Sequence, residues 1–100
     1  MNLSEKDYRV LTFISSSEDA VGSGLLTAFL RTHDKRTTKA TAYSVIKRLL
    51  KRQLLRVYFD TNDGSYKGYR LSRKGAKLWQ FARAHYAKLA VLGDTTDNPA

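Results

Sequence analysis

Thr41, Tyr43, Ser44, Lys47, Arg48 and Lys51 lie in one stretch with helical periodicity, and their types suit recognition of a polyanion better than a reaction. At about 100° per residue, Ala40, Ser44, Lys47, Arg48 and Lys51 share an arc, with Thr41 and Tyr43 at its edges. Ala42, Val45, Ile46, Leu49 and Leu50 form the opposite, apolar arc. Short polar or aromatic groups near the start of such a helix can approach base edges in a major groove. Lys and Arg farther along reach phosphates. Arg36, Thr38 and Lys39 sit at the helix start, where free backbone N–H groups also hold phosphate. Ser65 closes the turn of a following alternating hairpin, and Lys67 with Arg70 beyond it suits contact with a phosphate backbone.

Other candidate chemistry falls away. There are no cysteines, which excludes thiolate metal sites, disulfides and a Cys nucleophile. His33 and His85 stand alone, without a second ligand at metal-binding spacing. The Ser15–Ser17 run has no base partner, and Gly22-Ser23-Gly24 lacks both the preceding strand and the Lys of a phosphate loop. Asp60 and Asp63 belong to a turn, a poor scaffold for paired acid–base carboxylates. No catalytic residue, metal site or cofactor is expected.

The charge pattern agrees. A chain of 100 residues has room for one domain, and its 42% hydrophobic content allows a modest core. The net charge of +9 is unevenly distributed. Residues 1–30 carry a net −2, residues 31–56 carry nine basic residues against Asp34 alone, and residues 57–93 carry a net +5. Concentration in the middle of the chain is an electrostatic footprint for phosphate, although an anionic membrane or an acidic protein also attracts such a surface. No apolar run approaches the roughly 18–20 residues of a membrane span. The start, Met1-Asn2-Leu3-Ser4-Glu5-Lys6-Asp7, has no apolar signal region, so a cytoplasmic protein is the expectation.

The elements that position these groups follow from caps and periods. Ser4 caps a first helix, with Leu3 and Tyr8 spaced as a hydrophobic staple and Tyr8, Leu11 and Ile14 facing inward. A second helix starts near Ser23, buries Leu25, Leu26, Phe29 and Leu30, and stops near His33. Thr38 caps the third, which ends near Gln53. Alternation then places Leu55, Val57 and Phe59 on an inward face that Tyr69 and Leu71 continue. Opposing Phe59 to Tyr69 and Val57 to Leu71 requires an odd-numbered loop with Gly64 at positive φ. Ser72 caps a last helix that Gly93 ends, leaving 1–93 as the domain and 94–100 as a disordered tail.

The order predicts a mainly α fold with a small antiparallel β-hairpin, a winged helix-turn-helix with a long C-terminal dimerisation helix. Thr41 to Leu55, followed by Gly68-Tyr69-Arg70-Leu71-Ser72-Arg73-Lys74-Gly75, resembles the recognition helix, wing and last-helix start of MarR- and PadR-like regulators. Gln53 replaces the usual Gly and Ser72 the usual Thr, and the chain is shorter than typical MarR proteins. The resemblance implies a double-stranded-DNA-binding transcriptional regulator, most simply a repressor. A plasmid- or virus-type DNA-organising factor, as in plasmid partition, and a protein-interaction module remain alternatives.

On the last helix, Leu78, Phe81, Ala82, His85, Leu89 and Leu92 share an apolar face, which reads as a homodimer interface or as packing against the first helix. Family members often respond to small ligands near these helices. Trp79 and Tyr86 are placed to line such a cleft, but at helical spacing they read as core, and an effector is unsupported.

Overall fold

The computed structural model describes residues 3–97, the side chains of Lys67 and of residues 88–97 excepted. Its elements are α1 (Glu5–Ser16), α2 (Ser23–His33), α3 (Lys39–Lys51), β1 (Leu55–Phe59), β2 (Tyr66–Leu71) and α4 (Arg73–Asp97). Helices followed by an antiparallel β1–β2 hairpin and a long closing helix make a winged helix, as the sequence order predicts.

Hydroxyl caps start three of the helices. Ser4 Oγ accepts from the Asp7 N–H at 3.1 Å, Thr38 Oγ1 from the Thr41 N–H at 3.2 Å, and Ser72 Oγ from the Gly75 N–H at 2.9 Å. One inward face from each element then fills the core. Val10, Leu11 and Ile14 come from α1, Leu26 and Leu30 from α2, and Ala42, Val45, Ile46 and Leu49 from α3. Leu54, Leu55, Tyr69 and Ala82 close it. Leu25 is exposed, contrary to the expectation; it precedes the buried Leu26–Leu30 line by one residue, a rotation of about 100°.

The end of α3 is tightly specified. The Gln53 N–H bonds the Leu50 carbonyl at 2.9 Å and the Leu54 N–H bonds that of Leu49, also at 2.9 Å, a Schellman cap with Leu49 and Leu54 both fully buried. Gln53 takes φ 63°, so the left-handed cap persists without the usual Gly. Ser72 then donates from its hydroxyl to the Gln53 carbonyl at 2.6 Å. Where α4 begins, a Cβ on Gly75 would lie 1.9 Å from the Leu54 carbonyl oxygen, so this close approach requires glycine.

The hairpin differs from the expected register. Val57 opposes Tyr69 and Leu55 opposes Leu71, and Phe59 pairs with Tyr66 rather than with Tyr69. Residues 60–65 separate the strands, and an irregularity beside Phe59 leaves Lys67 as an extra residue on β2. The bulge restores the parity that the apolar pattern demands, so an even-numbered loop is compatible with it. Gly64 has φ 71°, as expected. Leu55 is buried, but Val57 and Phe59 are exposed because the hairpin projects beyond the helices.

An isolated bridge outside the hairpin also joins the wing. Val21 and Tyr69 exchange backbone hydrogen bonds of 3.0 and 2.8 Å, which ties the wing to the segment before α2. Gly68, at φ 139°, lets the chains approach: a Cβ there would fall 2.6 Å from the Val21 carbonyl carbon. At the other end, α4 continues through Gly93 to Asp97, so residues 94–97 of the expected tail are helical and 98–100 lie outside the described residues.

Candidate nucleic-acid interface

The helix α3 turns its apolar arc into the core and leaves Lys39, Ala40, Tyr43, Ser44, Lys47, Arg48 and Lys51 exposed, with Thr41 half-buried. No acidic residue occurs between Lys39 and Lys51. Thr38 and Thr41 place their hydroxyls 3.1 Å apart at the helix start. Ser44 donates back to the Ala40 carbonyl at 3.1 Å, which leaves its oxygen free to accept. Tyr43 is held from α2, its phenolic oxygen accepting from the Ser23 hydroxyl at 3.2 Å.

A basic groove opens beside this start. Gly24, Thr27, Arg31, Lys35, Arg36, Thr37, Thr38 and Lys39 line a cavity of about 420 Å³ between α2 and α3. Arg31 and Lys35, which lie off the periodic arc of α3, join Arg36 and Lys39 there. Their membership in the basic segment 31–56 was the available signal. Arg36 bonds the Asp34 carboxylate through its backbone N–H at 3.0 Å and its Nε at 3.3 Å, holding that carboxyl below its ordinary range. Asp34 therefore shapes the turn that presents the groove.

Two expected phosphate contacts are engaged elsewhere. The guanidinium of Arg48 reaches across to α1 and pairs with the buried carboxylate of Asp7. Arg70 donates to the Glu18 carbonyl at 2.9 Å and lies over the Tyr58 ring, 4.9 Å from its centroid. Both arginines bind elements of the domain together. A charge count cannot reveal this, because the partners lie 41 and 52 residues away. Ser65 is exposed at the wing tip, its N–H bonded to the Asp63 carboxylate at 2.8 Å; the Lys67 side chain lies outside the described residues.

The expected dimer face divides in the same way. Ala82 is fully buried and Leu78 packs against the core. Trp79 Nε1 donates to Thr12 Oγ1 at 2.9 Å, and the Tyr86 hydroxyl donates to the Leu3 carbonyl at 3.0 Å while its ring stacks on Tyr8. This side of α4 is therefore closed against α1. Phe81 and His85 remain exposed on the other side, and the side chains of Leu89 and Leu92 lie outside the described residues. Among the described residues there is no group of potential metal ligands, and no helix is long and apolar enough to cross a membrane.

A helix with a polar and basic outer arc, set beside a wing on this topology, places the chain in the winged-helix class. No protein-family model and no curated protein matches the sequence. Solved structures match in fold. A PadR-like transcriptional regulator from Bacillus cereus strain ATCC 14579 superposes with a TM-score of 0.75 at 17% identity, over 93% of this chain and 91% of that one. A PadR family transcriptional regulator from Eggerthella lenta DSM 2243 gives 0.68 at 19%, over 95% and 86%. A mutant of Lactococcus lactis ZitR gives 0.74 at 15%, covering all of this chain but only 64% of ZitR. The fold is that of the PadR- and MarR-like regulators.

Proposed function

We propose that this chain is a double-stranded-DNA-binding transcriptional regulator, most simply a homodimeric repressor that occludes a promoter in the cytoplasm. The observation that carries the reading is the exposed, acid-free arc of α3, with Tyr43 and Ser44 toward its start and Lys47 and Lys51 farther along. That division suits a helix lying in the major groove, with base edges met near its N-terminus and phosphates farther along. Thr38, Lys39, Arg36, Arg31 and Lys35 then hold the flanking backbone through the groove beside the helix start. No cofactor is needed for this action.

The test is fluorescence anisotropy with a duplex selected by the protein from a randomised library, against random duplex, over a range of salt. A preference of about 10³-fold or more is expected for a specific binder. Tyr43→Ala and Ser44→Ala should each cost about 1–3 kcal/mol on the selected site and little on random DNA. Lys51→Ala should weaken both alike and shallow the salt slope by about one. Equal losses of Tyr43→Ala and Ser44→Ala on both duplexes would remove α3 from base recognition.

A further inference from the structure

We propose that the basic groove between α2 and α3 is a site for the diphosphate group of a small molecule, which binds there in competition with the duplex. The competition rests on the DNA-binding reading above; the site itself does not. Arg31, Lys35, Arg36 and Lys39 border the groove, all four exposed, and no acidic residue lines it among the described residues. Asp34, the acid of the adjoining turn, lies outside the lining and is bonded to Arg36.

Behind these cations is Thr37, which lines the same groove but is only 6% exposed. Its backbone N–H bonds the Asp34 carbonyl at 3.0 Å. Its hydroxyl has no hydrogen-bond partner among the described residues, yet it is not sealed from solvent. A hydroxyl so enclosed is costly unless an occupant of the groove bonds it. The start of α3 adds further donors. Thr38 caps the Thr41 N–H, which leaves the Lys39 and Ala40 N–H groups to an outside acceptor.

These groups specify the occupant. Four cations, one of them shared with Asp34, match two linked phosphates better than one, since a phosphate monoester carries about −1.5 to −2 at neutral pH. The volume of about 420 Å³ is also well beyond the needs of a single phosphate, a water's share of the liquid being about 30 Å³. A duplex fits differently: a sugar separates successive phosphates of a strand, and so wide a rod rests on the exposed rim. Only a small anion passes the rim to reach Thr37. The rim cations therefore serve two occupants that exclude each other.

The test is calorimetric titration of the full chain with inorganic diphosphate, against orthophosphate and chloride at matched ionic strength. One diphosphate per chain is expected, held at least about tenfold more tightly than orthophosphate. Thr37→Val should lose about tenfold of that affinity with random-duplex binding unchanged, and Thr37→Ser should retain it. Because the hydroxyl lacks a partner, Thr37→Val should unfold at the parent's temperature or higher. Saturating diphosphate should release random duplex from the chain. Adenosine diphosphate distinguishes the sources of the group: affinity equal to or above that of inorganic diphosphate assigns the site to a nucleotide, and weaker affinity assigns it to the free anion. Equal affinity for diphosphate and orthophosphate, or full affinity in Thr37→Val, overturns the site and leaves the cations to duplex phosphates. A fall in the unfolding temperature of Thr37→Val overturns the role given to its hydroxyl, and duplex retained at saturating diphosphate overturns the exclusion. A chain that binds diphosphate but no duplex keeps the site and removes the DNA reading.

Discussion

At Gln53 the backbone asks for a conformation that its side chain disfavours. A non-glycine residue at φ 63° crowds its Cβ against the neighbouring carbonyl, a cost of about 1–2 kcal/mol that glycine avoids. The cap forms nonetheless because Leu49 and Leu54 bury together across it and Ser72 bonds the Gln53 carbonyl. Gln53→Gly is expected to stabilise the domain by about 1 kcal/mol, the relief being partly offset by the greater freedom of glycine in the unfolded chain. Urea denaturation with an unchanged slope checks this; a loss of stability would mean that the Gln53 side chain makes a compensating contact. Ser72 keeps the capping role its hydroxyl predicts, because that role depends only on local geometry.

At the level of elements, the contacts that fasten helices to one another were least legible. Caps, helix starts and the apolar arc of α3 follow from local chemistry and period and appear as expected, whereas α4 runs past the expected stop at Gly93. Arg48 lies on the outward arc by its rotation, yet a long side chain can bend toward a buried carboxylate on another helix. Only the tertiary arrangement brings Asp7 within its reach. The wing shows the same limit: alternation fixed which residues share a face, but neither the Lys67 bulge nor the Val21 bridge has a periodic signature. On α4 the apolar stripe was visible, whereas the assignment of Leu78 and Ala82 to the core depended on where α1 packs.

The α1–α3 strap has a consequence for binding. Asp7→Asn leaves a neutral amide beside Arg48, and the domain should lose about 1–3 kcal/mol of stability. The released guanidinium then becomes available to phosphate. Random-duplex affinity should rise at low salt, and the slope of log K against log salt should steepen by about one. Anisotropy titrations below the unfolding temperature of the variant measure both. An unchanged slope would show that Arg48 stays clear of the duplex even when unpaired.

For the whole molecule, the distribution of charge and apolar surface decides how many copies act together. The basic segment 31–56 lies largely on α3 and its approaches, so on the proposed reading one domain supplies one DNA-contacting helix and the basic groove beside it. Two domains related by a two-fold axis would present two such helices to half-sites about one DNA turn apart. With Leu78 and Ala82 turned inward, the described part of α4 offers Phe81, 66% exposed, and the exposed His85 one turn on as the surface for that association. Phe81→Glu introduces a charge where a symmetric interface would bring two copies of it together, a repulsion added to the lost apolar contact. Sedimentation should show the parent chain as a dimer and Phe81→Glu as a monomer with the same helix content. Affinity for a duplex bearing two half-sites should fall at least about tenfold, while that for a single half-site stays unchanged. A parent chain that sediments as a monomer at micromolar concentration, with Phe81→Glu indistinguishable from it on both duplexes, would remove α4 as the dimer surface and leave α3 to act from one domain alone.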